Sequence, residues 1–110
     1  MARVDIPVVA FTRGGTVMAD PITGDVANGH ALANDGRVGL IVKNTSSTTQ
    51  YNVTLRLSRT VDGQSVSPRV EPVPFGKSKA FGPFAPGDYG TSLLVDVDNV
   101  ALTLIAVRVS

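Results

Sequence analysis

The chain has 110 residues, a formal net charge of +1 at pH 7 and no cysteine, with 43% hydrophobic and 17% charged residues. That length fits one domain around one core, and the absence of thiols excludes disulfides, thiol catalysis and thiolate metal sites. The ten basic residues are scattered and form no stripe that would follow a phosphate backbone, so no nucleic acid is expected as a ligand. No apolar run approaches ~18 residues, so no membrane span is expected. The charged share is below the ~25% usual for soluble domains, which implies that part of the surface meets another protein.

At the N-terminus, Met1 to Pro7 has neither the apolar core nor the cleavage pattern of a signal peptide, and synthesis in the cytoplasm is expected. Val4 to Phe11 carries strand-forming residues, with Pro7 placing it at a sheet edge. Residues 1–27 read as an irregular arm or edge strand of the same unit, and residues 28–110 as the main domain. Gly14-Gly15 marks a turn, and turn-formers are dense from Asp20 to Gly36, with one short strand expected near His30 to Ala33. Arg37 to Lys43 alternates, with Val38, Leu40 and Val42 on one side. Tyr51 to Arg59 alternates more cleanly, with Tyr51, Val53, Leu55 and Leu57 facing in and Asn52, Thr54, Arg56 and Ser58 facing out. The link Asn44 to Thr49 suits a loop between antiparallel neighbours.

Val61-Asp62-Gly63 supplies a turn before Gln64 to Val73, where Val66, Val70 and Val73 are interrupted by Pro68 and Pro72, again an edge pattern. Lys77 to Phe81 reads as a short strand and Thr91 to Asp98 as a good one, with Leu93, Val95 and Val97 inward. Asp98-Asn99-Val100 is short enough for a hairpin into the strongest strand, Ala101 to Val109. That last strand is apolar on both faces, Thr103, Ile105, Val107 and Val109 on one and Leu102, Leu104 and Ala106 on the other. It should therefore be central in its sheet and covered on both sides, by a loop or by a partner. With no capped helical periodicity, the expected fold is all-β, an antiparallel β-sandwich or Greek-key barrel of about seven or eight short strands.

Catalytic constellations are absent, and no enzyme activity or cofactor is expected. His30 is the one histidine and has no nucleophile motif beside it, so a structural or solvated role is expected. Asp96 and Asp98 share a strand face, but Ala101 stands where an EF-hand needs glycine, and a solvated outer face explains the pair without a metal. Gly14-Gly15 lacks the lysine and further glycine of a phosphate loop. The sequons at Asn44 and Asn52 read as chance matches. Phe75, Phe81, Phe84 and Tyr89 are four of the six aromatic residues in the chain. They read either as a core plug at one end of a sandwich or as an apolar patch that anchors a partner.

The order Asn34-Asp35-Gly36-Arg37, Leu40-Ile41-Val42-Lys43-Asn44-Thr45, Thr60-Val61-Asp62-Gly63, Phe81-Gly82-Pro83-Phe84, Tyr89-Gly90 and Leu104-Ile105-Ala106-Val107-Arg108-Val109 resembles small virion proteins of tailed bacteriophages, especially those infecting actinobacteria. These are similar to capsid decoration, or cement, proteins with a β-sandwich fold. The resemblance covers roughly residues 28–109 and implies a virion location on the capsid surface. It also implies the major capsid protein as partner and a closed homo-oligomer, a trimer above all. Val4, Ile6, Val8 and Val9 are then candidates for a strand added to a neighbour's open edge. A phage tail or connector component and an immunoglobulin-like adhesion module are the alternatives of the same architecture, and fold alone does not choose between them. An enzyme or carbohydrate-binding module is the least supported, since sugar binding calls for exposed aromatic platforms and the chain has no tryptophan and two tyrosines.

Overall fold

The computed structural model describes residues 3–17, 20–57, 60–65 and 67–108. Ser58, Arg59, Val66 and Val109, assigned to strands from the sequence, lie outside the described residues. The described chain is all-β, two five-stranded sheets packed face to face, with one helical turn, α1 (Pro86–Tyr89).

One sheet runs in the order β1 (Val4–Asp5), β4 (His30–Ala33), β11 (Ser92–Val97), β6 (Tyr51–Arg56), β9 (Arg69–Val73). The other runs β10 (Ser78–Phe81), β5 (Val38–Asn44), β12 (Leu102–Arg108), β2 (Val8–Ala10), with β3 (Ile22–Thr23) also paired to β12. A separate hairpin, β7 (Thr60–Val61) and β8 (Gln64–Ser65), turns at Asp62-Gly63, where both residues take positive φ, 51° and 75°. Positive φ at both central positions suits a two-residue hairpin turn.

The period-two pattern builds the core directly. Val38, Leu40 and Val42 of β5 and Leu102, Leu104 and Ala106 of β12 face Val53 and Leu55 of β6 and Leu93, Val95 and Val97 of β11. Each such Leu or Val contributes about 1.5–3 kcal/mol by leaving water. As expected, β12 is central, flanked along its whole length by β5.

Two connections differ from the sequence reading. Asp98-Asn99-Val100 does not close a hairpin, and residues 45–50 do not join paired neighbours. Each carries the chain from one sheet to the other. The reason lies in the buried faces: an arch sets the apolar side of one strand opposite that of the next, whereas a hairpin would lay both on one sheet. Asn99 shapes the first arch, its Oδ1 accepting from the Ala101 N–H (2.9 Å) and its carbonyl from the Leu102 N–H (3.2 Å).

The strand count also differs, twelve among the described residues, because β1, β2, β3, β7 and β8 are only two or three residues long. The pairings of β1 with β4 and of β2 with β12 are parallel in an otherwise antiparallel fold. Pro7, which has no N–H to donate, separates β1 from β2 where the chain crosses from one sheet to the other.

Candidate functional site

The N-terminal candidates pair within their own chain. Val4 donates its N–H to the Gly29 carbonyl (3.0 Å) and Ile6 to that of Ala31 (2.8 Å), while Val8 and Val9 register with Ala106 and Val107. Ile6 is 3% exposed and belongs to the core, Val8 and Val9 are half-buried, and Val4 is 36% exposed. An arm that adds to a neighbour would first have to leave β4 and β12.

The aromatic candidates divide by burial. Phe84 is fully buried and meets the half-buried Tyr89 edge-on at 5.1 Å between ring centroids, and Phe81 is buried as well. Only Phe75, in the β9–β10 turn and 51% exposed, stands at the surface.

Phe81 is roofed by charge: the Arg69 guanidinium lies 5.7 Å and the Lys79 ammonium 5.6 Å from its ring centroid. Glu71 bridges both, at 3.1 Å to Arg69 and 3.5 Å to Lys79. By register, Arg69 and Glu71 share the inner face of their sheet with Leu55 and Val53, and Lys79 shares that of the other sheet with Val42. Charges on inward positions of edge strands β9 and β10 close the open side of the sandwich and discourage further strand pairing there. Hydrogen bonds with the Tyr89 hydroxyl and then with Glu71 raise the Arg69 pKa further, and Arg69 in turn lowers that of Glu71.

The polar groups that could have carried chemistry are engaged in holding the fold. His30 is fully buried. Its Nε2 accepts from the Asp25 N–H (2.8 Å), so the ring proton is on Nδ1, which donates to the Val4 carbonyl (3.2 Å). Asp96 is clamped between Arg3 (2.7 Å) and Arg56. Burial raises its pKa, but hydrogen bonds from Arg3 and Arg56 outweigh that and the net direction is down. Asp98 accepts from the Asn52 N–H with both oxygens, at 3.0 Å each.

Burial lowers the His30 pKa against the opposing pull of its Val4 hydrogen bond and Asp25. A folded-state pKa below the unfolded value of about 6.5 means that the unfolded chain binds the proton first as pH falls. The contribution is fully present above pH ~6.5 and is lost below it, at up to about 1.4 kcal/mol per pH unit until the folded-state pKa is passed. Asp25, Asp35, Glu71 and Asp96 are also depressed, but from carboxylate values, so they act at lower pH. The urea midpoint should therefore fall between pH 7.5 and pH 5, and His30→Gln should flatten that interval.

What the sequence reading left open is the second cover of β12. Three cross-strand rows make up the outer face of its sheet. Ala80, Ile41 and Ile105 form one, Gly39, Val107 and Val9 the next, and Ser78, Lys43, Thr103 and Thr23 the third. No strand or helix of the described chain packs over these rows, and Ile41, Ile105 and Val9 remain partly exposed. A hollow of about 390 Å³ opens where Gly39 has no side chain, bounded by Val107, Gly82, Pro83 and Arg37. The signal in the sequence was the doubly apolar last strand.

Another hollow, of about 420 Å³, lies beside the β1–β2 crossover, lined by Ile6, Val8 and Leu32 with Asp5 as its one charged group. No protein-family model, curated protein or solved structure matches this chain.

Proposed function

We propose that the chain is a non-enzymatic virion structural protein that binds the outer surface of an assembled phage capsid and stabilises it, a decoration or cement protein whose partner is the major capsid protein. The observation that carries this reading is the partly exposed apolar face of the β10–β5–β12–β2 sheet on a closely packed sandwich. Among the described residues, the motifs that resemble phage decoration proteins include 34–44 and 104–108, which lie on β5, β12 and the turn before β5. The ionisable groups best placed for chemistry, His30 and Asp96, are engaged in structural contacts, which also favours a binding role.

Stabilisation by such a protein is mass action. A ligand that binds the assembled shell and not its free subunits shifts the equilibrium toward the shell. A closed homo-oligomer, a trimer above all, would repeat the contact around a symmetry axis of the shell.

Cosedimentation of the purified protein with assembled shells, beside the same assay with unassembled capsid subunits, tests the proposal. Saturable binding to shells alone, at a fixed ratio to capsid protein, is the expected result. Protein that stays in the supernatant with both would move the assignment to a tail, connector or adhesion role.

A further inference from the structure

The outer face of the second sheet has a charge pattern as well as an apolar one. On β5 and the residue before it, odd-numbered positions face outward, so Arg37 and Lys43 stand on either side of Gly39 and Ile41 along the strand. Among the described residues neither cation has an acidic partner, in contrast to Arg3, Arg56, Arg69, Lys79 and Arg108, each of which is paired.

No carboxylate occurs in any of the three outer rows. The acid nearest in sequence, Asp35, is held by Arg108 at 2.5 Å and by the Arg37 backbone N–H at 3.0 Å. The face therefore presents apolar side chains, an open hollow at Gly39 and two unmatched positive charges.

We infer that this face seats a protein ridge of the assembled capsid in which an apolar side chain, inserted in the Gly39 hollow, is flanked by carboxylates that pair with Arg37 and Lys43. The inference rests on the decoration reading and names the chemistry of its partner surface. Charge decides the occupant. A second copy placed face to face would set four cations against one another with no acid between them. A partner with carboxylates gains complementarity and faster encounter, both weakened by salt. Gly39 is the specificity element, because any side chain there occupies the space that the partner needs.

Two variants test this by independent routes. In Gly39→Val the Cβ would stand 3.4 Å from the Phe81 carbonyl oxygen and 3.6 Å from Val107 Cγ2, ordinary van der Waals contacts, and the hollow beside it is open to the γ-methyls. A β-branched residue suits that position. Arg37→Glu reverses one charge and leaves the hollow open. Val70→Glu, at a residue 53% exposed on the outer face of the opposite sheet, is the control.

Binding to shells is read by cosedimentation in low and raised salt. Each of the first two variants should bind at least tenfold more weakly than the wild type, and Val70→Glu should bind like it. Wild-type binding should also weaken as salt rises. Wild-type protein that binds shells while Gly39→Val and Arg37→Glu bind equally well would overturn this face and leave the decoration reading standing. Wild-type protein that does not bind shells would overturn the reading and this occupant with it.

Discussion

Phe84→Ala should unfold far more easily than the wild type, losing about 3–5 kcal/mol, while Phe75→Ala should stay within about 0.5 kcal/mol of it. The two rings lie only nine positions apart and were equally eligible as partner anchors in the sequence, but Phe84 is fully buried and Phe75 is 51% exposed. Removing the Phe84 ring takes away its edge-on contact with Tyr89 and opens a cavity between the sheets. Tyr89 would then lose its apolar backing on one side while its hydroxyl still holds Arg69. Such a loss is a large share of the about 5–15 kcal/mol that holds a typical domain together. Urea titrations with the slope held in view provide the check. A shifted midpoint at constant slope assigns the change to stability, and a Phe84→Ala midpoint equal to that of the wild type would mean that the ring is not part of the core.

The same pair shows how far the sequence could be read. Alternation located β5, β6, β11 and β12 and their buried sides, because a half-buried strand must repeat every two residues. It could not reveal which sheet each strand joins. The arch at Asp98-Asn99-Val100 and a hairpin demand the same short polar link, and only the opposition of Leu93 and Val95 to Leu102 and Leu104 distinguishes them.

Strands of two residues, such as β1 and β3, leave no period at all, and their place is fixed by tertiary hydrogen bonds such as those of Val4 and Ile6. For the candidate site, a cluster of aromatic residues carries no sign of which rings face inward. Arg69 and Lys79 read as ordinary surface charges until the register puts them over Phe81. The binding face was half-legible: the double apolarity of β12 marked a second surface, whereas the cations at Arg37 and Lys43 stood out only when Arg3, Arg56, Arg69, Lys79 and Arg108 had found acidic partners.

Asn44→Leu should cost about 3 kcal/mol or more, although it replaces a polar residue with an apolar one of similar size at a fully buried position. In the sequence Asn44 opens a Ser/Thr-rich loop and looks like a solvated turn residue. In the fold it closes β5, and its side chain serves three backbone groups. Nδ2 donates to the carbonyls of Thr49 and Val73 at 2.9 Å each, and Oδ1 accepts from the Ser46 N–H at 2.9 Å. Its main chain adds a bond to the Lys77 carbonyl (2.9 Å) and accepts from the Gly76 N–H (3.1 Å). One residue thus ties the β5–β6 arch, the end of β9 and the β9–β10 turn into a single unit.

Leucine would fill the space and leave three backbone groups that its side chain cannot serve, the buried Val73 carbonyl and the partly buried Thr49 carbonyl and Ser46 N–H. Each buried group left unsatisfied costs about 1–3 kcal/mol. Hydrogen exchange separates this from a simple loss of packing. The Ser46 and Gly76 amides should exchange faster than the fall in global stability explains, while amides in the middle of β12 should follow that fall alone. Equal acceleration at all of these amides would show that Asn44 acts only through global stability and not as a local tie between the two sheets.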